Sequence, residues 1–180
     1  MSSPAGIAEL RIVPAQPEDL ARYIDLMEEV AEWLEERGIK QWKIGNFRRS
    51  IDYYTGSIQK QEVYLAFIQG HLAGTLRILL RERVVWPEIA DEDGVYVHSL
   101  AVRRPWAGQG LGMRMLQWAE KQAALMGRSH VRLDCAANNQ ILPLYYERAG
   151  FRERGEIDAN YPEPIGTLRL RRFEKRVGSA

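Results

Sequence analysis

Apolar positions along the chain change period several times, and each change marks an element. Leu20, Ile24, Met27, Ala31 and Leu34 recur every three or four residues, the spacing of one helix face. Pro17 opens this helix, Glu18 and Asp19 occupy a first turn whose dipole favours anions, and Gly38 ends it. A strand is expected before it, over Ile7–Val13, and a shorter helix after it, over 48–59. Two strands follow over 62–68 and 72–80 around the turn Gln69-Gly70-His71, with His71 read as an exposed turn residue. An acidic loop carrying Trp86 and Pro87 fills 82–93, and 95–102 returns to a strand. A long helix is expected over 109–126, with Gly112, Met115, Leu116, Ala119, Ala123 and Met126 on one face. A strand over 131–135, a helix over 142–149 closed by Gly150, and strands over 151–155 and 167–173 complete the pattern. The order β-α-α-β-β-β-α-β-α-β-β predicts a mixed α/β domain: a central mixed sheet flanked by about four helices, its middle strands joined by a helical crossover.

The chemistry concentrates where the strand over 95–102 runs into the long helix. Gly108, Gly110 and Gly112 stand at alternate positions there. Glycine has no Cβ, so such a loop can wrap a ligand closely and aim several N–H groups at it, with the positive end of the helix dipole behind them. That arrangement suits a pyrophosphate. A P-loop is excluded, because Gly110 is followed by Leu111, and Gly112 by Met113, where Gly-Lys-Ser/Thr is needed. A dinucleotide-binding reading lacks its last glycine, since Met113 holds that position, but Asp134 ends the next strand about where a ribose-binding acid belongs, ~20 residues on. A plain strand-to-helix turn with packing glycines is the remaining alternative.

Bulk properties narrow the field. With 180 residues, a single domain spanning 1–180 and a core over about 7–173 are expected. A net charge of +1 gives no field that would gather nucleic acid or an anionic membrane. No apolar run nears the ~20 residues of a membrane span. Met1–Gly6 has no signal-peptide character, and the lone Cys135 permits no internal disulfide, so a cytoplasmic location is expected. Three scattered histidines and one cysteine lack ligand spacing, so no metal site is expected. Arg169, Arg171 and Arg172 read as a solvated strand face.

A second motif lies downstream: Asn139, then Tyr146-Glu147-Arg148-Ala149-Gly150-Phe151. With the glycine loop after Leu100-Ala101-Val102, the chain resembles the GNAT superfamily of N-acetyltransferases, whose signatures are R/Q-x-x-G-x-G/A after a strand ending in valine and N-x(6)-Y-E-x-x-G-F. One departure is Ala107, where the family carries Arg or Gln; Gln109, Arg103 or Arg104 could substitute. A second is Pro143, which lacks the N–H needed to bond the carbonyl of residue 139, so the helix should begin near Leu142 with Asn139 in the loop before it.

The resemblance implies a GNAT-like fold over about 7–173 and acetyl-CoA as co-substrate. It assigns the backbone of Leu100, Ala101 and Val102 to the pantetheine, and Ala107, Gly108, Gln109, Gly110, Leu111 and Gly112 to the pyrophosphate. The Leu100 N–H would polarise the thioester carbonyl, and Asn139, or Asn138, would face the cofactor. Tyr146 matches the tyrosine that protonates the departing thiolate, whereas Tyr145 is read as packing. Tyr96, His98, Leu100 and Val102 are expected on one strand face by alternation. His98 matches a proton-relay histidine of one branch of the superfamily, with a merely satisfied strand histidine as the alternative, and Tyr96 stands where other branches carry a glutamate. The acceptor pocket is implied at Ile39–Phe47, with Trp42, and at Asp158–Pro164, with Asn160, Tyr161 and Glu163, with Trp86–Asp93 as a third wall. Trp42, Tyr96 and Tyr161 are thus the substrate-binding candidates, and aromatic plus acidic side chains suit a cationic amine. The expected function is acetyl transfer to a primary amine of a small molecule or peptide, with a homodimer as the family habit. The rivals are a non-catalytic acyl-CoA-binding module of the same fold and a dinucleotide-dependent oxidoreductase.

Overall fold

The computed structural model describes residues 9–89, 93–162 and 165–178. Ile7 and Ala8 of the expected first strand, residues 90–92 of the acidic loop, and Glu163 and Pro164 of the expected acceptor loop lie outside them.

Strand β1 (Leu10–Pro14) leads through a single 3-10 turn at Pro17–Asp19 into α1 (Leu20–Glu36). The second expected helix is two: α2 (Asn46–Arg49) and α3 (Ile51–Gln59). The cause of this break lies in α1. Glu28 is buried there, and its carboxylate accepts the Gly45 and Arg48 N–H groups at 2.7 and 3.0 Å, which folds the connection back onto α1. Next come β2 (Val63–Ile68), β3 (His71–Leu79) and β4 (Gly94–Val102), then α4 (Leu111–Leu125), β5 (His130–Ala136), α5 (Leu142–Arg148), β6 (Arg152–Asn160) and β7 (Thr167–Arg176).

The strands form one sheet in the order β1-β2-β3-β4-β5-β7-β6. Every neighbouring pair is antiparallel except β4–β5, which α4 joins as a parallel crossover. One face carries α4 and α5 over Val95, Val97, Val131, Leu133 and Cys135. The other carries α1 and α3 over Val63, Leu65 and Phe67. Beyond them the segment after β3 lays Val85 and Trp86 on Tyr96, Ala159 and Leu170. The buried face of α4 begins at Leu111; Met126, expected at its end, follows the helix and is exposed.

The last two strands extend well past their expected ends. Charge pairs between them hold these extensions: Arg169 reaches Glu156 and Asp158 at 3.0 and 2.9 Å, and Arg171 reaches Glu156 at 3.1 Å. Arg169 and Arg171 thus form a cross-strand ion-pair lattice with β6, while Arg172, on the other side of β7, reaches Glu88 at 2.6 Å. Among the described residues no helix is long and apolar enough to cross a membrane.

Candidate active site

The parallel pair at the centre of the sheet is incomplete. β4 and β5 pair from Gly94↔His130 to Val97↔Leu133, and there the pairing ends. Beyond that point β4 stays on β3, while β5 stays on β7. An extra residue in β4 accompanies the parting: Arg77 faces His98 and Thr75 faces Ala101, so three steps on β4 oppose two on β3. Ser99, inside this bulge, has φ +51°. A bulge of this kind sharpens the local twist and swings one strand off its neighbour. It also resets the alternation. Tyr96 packs with Trp86 on one face of the sheet, whereas Leu100 and Val102 pack towards α4 on the other. The single face expected for Tyr96, His98, Leu100 and Val102 is thus corrected, because the extra residue removes one step of the period.

The parted strands leave backbone groups on either side of the gap. On the β5 side, Gln41 Oε1 accepts the Ala136 N–H at 3.1 Å and the Asn139 amide at 3.3 Å. The Ile39–Phe47 segment is thereby tied across the end of β5, a contact with no signal in the sequence.

At the mouth of the gap lies the glycine loop. Gly108 and Gly110 have φ +74° and +75°, a region L side chains rarely adopt, and an added Cβ at either meets nothing within 4 Å. The loop is therefore open at both glycines. Gly110 caps α4, whose first internal bond is Arg114 N–H to Gly110 O at 3.1 Å, so helical geometry directs the Leu111, Gly112 and Met113 N–H groups out of the helix end. These features fit the pyrophosphate of coenzyme A. Gly112 differs: an added Cβ would lie 2.6 Å from the Tyr145 hydroxyl, so this glycine lets α5 approach α4. Arg103 and Arg104 are held by α1, the first on Glu29 at 2.6 Å and the second 3.6 Å above the Trp33 ring. Gln109 donates to Pro105 O at 2.9 Å.

Tyr146 stands on the α4–α5 face of the sheet. It is buried, with its ring against Phe151 and Phe173. Burial first, then the neighbouring Cys135, Asp134 and Tyr145 groups, push its phenol well above the ordinary 10.0, so at neutral pH it is a proton donor. Burial likewise pushes the Cys135 thiol up to about 12, which removes it as a nucleophile. Asn139 caps the start of α5: its side-chain oxygen accepts the Ile141 and Leu142 N–H groups at 2.9 and 3.0 Å. The helix begins at Leu142, as Pro143 requires.

His98 stands on the opposite face. Its Nε2 lies 3.0 Å from Glu82 Oε2, and its Nδ1 lies 3.8 Å from Asp134 Oδ2. Burial raises the Glu82 carboxyl, but the His98 hydrogen bond and charge and the Val84 and Val85 N–H groups outweigh it and hold it below 4.5. Asp134 moves the other way: burial pushes it above 3.8, and the opposing effect of His98 is the smaller. Asp134, the acid a dinucleotide-binding reading needs, thus faces an imidazole.

Of the acceptor candidates, the structure brings Tyr161 to this cluster. Burial, then the Asp134 and Glu82 carboxylates, push its phenol far above 10.0. Tyr96 is 1% exposed beneath Trp86, so its ring belongs to the core and offers no open surface. Trp42 is half-buried edge-on against Phe47 and packs on the α1 core. Asp158 and Asn160 belong to β6 rather than to a loop, and Asn160 accepts from the Thr167 hydroxyl at 2.7 Å. Sequence reasoning missed Glu82 entirely. It also missed Arg77, buried beside His98 on β3, whose guanidinium holds Tyr53, Ser57 and Glu62 at 3.0, 3.0 and 3.3 Å.

Comparison with known proteins agrees with this geometry. Residues 27–151 match the model of the acetyltransferase (GNAT) family. The chain is 36% identical over 152 residues to an uncharacterized N-acetyltransferase, YesJ, of Bacillus subtilis (strain 168), covering 82% of this chain and 84% of that one. Its fold superposes on a GNAT-family acetyltransferase of Listeria monocytogenes 4b F2365 with a TM-score of 0.78 and 28% identity, over 97% of this chain and 98% of that one. A ribosomal L7/L12 alpha-N-protein acetyltransferase in complex with coenzyme A shares the fold at a TM-score of 0.70 and 16% identity, over 98% of both chains. A glycine cradle at the mouth of a parted parallel strand pair, and a family match that runs through both, lead to one conclusion: the chain belongs to the acetyltransferase (GNAT) family and is an acyltransferase.

Proposed function

We propose that this enzyme acetylates a cationic primary amine by direct transfer, with Tyr146 as the acid and His98 as the base. One observation carries the reading. β4 and β5 part after Val97↔Leu133, with Tyr146 on one face of the sheet and His98 on the other, so a reactant lodged between the strands meets both.

Acetyl-CoA, the co-substrate the family implies, supplies an activated acetyl carbon. The N–H groups at the start of α4 and the backbone of 107–112 hold the pyrophosphate, which helix-end donors suit. The free edge of Leu100–Val102 holds the pantetheine, and the Leu100 N–H stabilises the oxyanion. Asn139 acts through α5, whose first turn it fixes. An amine of pKa ~10 arrives protonated and needs a base. His98 takes that proton. Tyr146, kept neutral by its surroundings, donates to the departing sulfur. Glu82 and Asp134, with the Tyr161 ring beside them, favour a cation on the acceptor side. The acceptor is a small-molecule or peptide amine. We assign the activity to the cytoplasm and to a single domain that pairs as a homodimer.

Melting curves with acetyl-CoA, coenzyme A and a nicotinamide dinucleotide added separately test the cofactor. At ~100 times its dissociation constant a ligand stabilises by about 2.7 kcal/mol, and only the coenzyme A ligands should raise the midpoint. Thiol release is then screened against amines. A shift with the dinucleotide alone, or coenzyme A binding without transfer to any amine, overturns the reading.

A further inference from the structure

We infer that Glu82, His98 and Asp134 form a proton relay on the acceptor side of the gap, in which Glu82 orients the imidazole and Asp134 receives the proton the acceptor nitrogen gives up. The inference rests on the amine-acetylation reading above and adds two residues to it.

Glu82 is fixed before it meets His98. Its Oε1 accepts the Val84 and Val85 N–H groups at 2.9 and 3.2 Å, which leaves Oε2 aimed at His98 Nε2 at 3.0 Å. Its side chain is 8% exposed. An ionised carboxylate only accepts, so Nε2 carries the hydrogen and Nδ1 of the neutral ring presents its lone pair. That lone pair faces Asp134 Oδ2 across 3.8 Å, too far for a direct hydrogen bond. In the relay a water beside the pair, or the acceptor nitrogen, joins the two groups. Asp134 is the first residue of β5 beyond its last pairing with β4, so the bridge stands at the apex of the gap.

The charged and titratable groups around the ring are otherwise engaged. Arg77, opposite His98 on β3, holds Tyr53 of α3, Ser57 and Glu62. Arg172, opposite Asp134 on β7, holds Glu88. Tyr161, from the β6–β7 connection, stays protonated. The imidazole is thus left between two carboxylates of opposite character. Glu82 is held ionised by its bonds, and Asp134 is made more basic by burial.

The protons balance. The ammonium N–H bond breaks, the proton passes to Nδ1, and the freed lone pair forms the C–N bond. The imidazolium then hands its Nδ1 proton to Asp134, which releases it to solvent. Of the two protons the nitrogen loses in all, one leaves by this route. The C–S bond breaks as the Tyr146 O–H protonates sulfur, and the second nitrogen proton restores the Tyr146 phenol. Glu82 is a positioning residue; His98 and Asp134 carry the proton.

A first test needs no acceptor. Carboxyl-carbon NMR titration of the whole protein compares wild type with His98→Gln, and the Glu82 midpoint should rise once the imidazole is gone. A midpoint that does not move overturns the coupling. The second test uses an amine accepted in the thiol-release screen. Glu82→Gln and Asp134→Asn should each lower kcat about tenfold, alter the pH dependence of kcat and leave the KM for acetyl-CoA unchanged, with Glu82→Asp restoring part of the rate. If Glu82→Gln fails to fold, Asp134→Asn carries the test alone. Thiol release with a wild-type pH profile in the folded variants overturns the relay and leaves acetylation standing. No thiol release with any amine overturns both.

Discussion

The two ends of the β4–β5 pair both gather histidine and carboxylates and use them differently. At the closed end Arg132 is 1% exposed and bound to Asp93 and, at 2.7 Å, to Glu174, while the Asp93 carboxylate also takes the Ser129 hydroxyl at 2.6 Å and lies 3.2 Å from His130. At the open end His98 lies between Glu82 and Asp134, and among the described residues no arginine ion pair is seen on either carboxylate. The two aspartates record the difference. Burial raises Asp93 too, but the Arg132 and Ser129 hydrogen bonds outweigh it and bring it down to about 2. Asp134 stays above its ordinary 3.8. A cation pinned by two anions locks strands together, whereas an imidazole flanked by two anions beside unpaired backbone is available for chemistry. The arginine at the closed end and the end of strand pairing at the open one together separate the two clusters.

The comparison breaks most visibly at Tyr146. Tyr146→Phe removes the donor at the open end and should lower kcat by about a hundredfold or more, with little change in melting temperature. Unchanged turnover would take the acid role from Tyr146. At the closed end the effect should fall on stability instead. Arg132→Met leaves two carboxylates without their cation and should cost about 3 kcal/mol or more in urea unfolding, while the protein that remains folded keeps its kcat. A variant that unfolds no more easily would show that Arg132 pins nothing.

The pH dependence should have opposite signs at the two aspartates. Asp93 has a folded value of about 2 against 3.8 unfolded, so its contribution is present above 3.8 and lost as pH falls towards 2. Its side chain is 37% exposed, so solvent screening keeps the effect small. Asp134 is raised, so the stability linked to it is full below 3.8 and lost as pH rises through its folded value. At neutral pH Asp93→Asn should therefore lower the melting temperature and Asp134→Asn should raise it. Melting curves of both variants from acid to neutral pH would show equal signs if the two ends were alike. The smallest expected effect is at Gly112. Gly112→Ala should cost about 1 kcal/mol through the Tyr145 hydroxyl, and Tyr145→Phe in the same chain should recover most of it.

Legibility in the sequence followed the range of the interaction. The loop glycines were readable because positive φ at Gly108 and Gly110 is a demand of the local backbone. The start of α5 was readable because Pro143 decides it within one turn. β6 was shortened in the reading because Glu156 and Asp158 hide a strand whose partners, Arg169 and Arg171, lie on β7. The bulge at Ser99 left no mark, since serine gives no sign of a positive φ, and every facing assignment after it was reversed. Glu82 meets His98 only because the segment after β3 folds back over β4.

The sequence by itself determined the order of the elements, the glycine cradle, the tyrosine that α5 presents and the family, because periodicity, backbone φ and motif spacing are local properties of a chain. The tertiary structure alone decided where β4 leaves β5 and which carboxylates meet His98. Strand parting and long-range ion pairing depend on residues far apart in sequence, and no local pattern records their meeting.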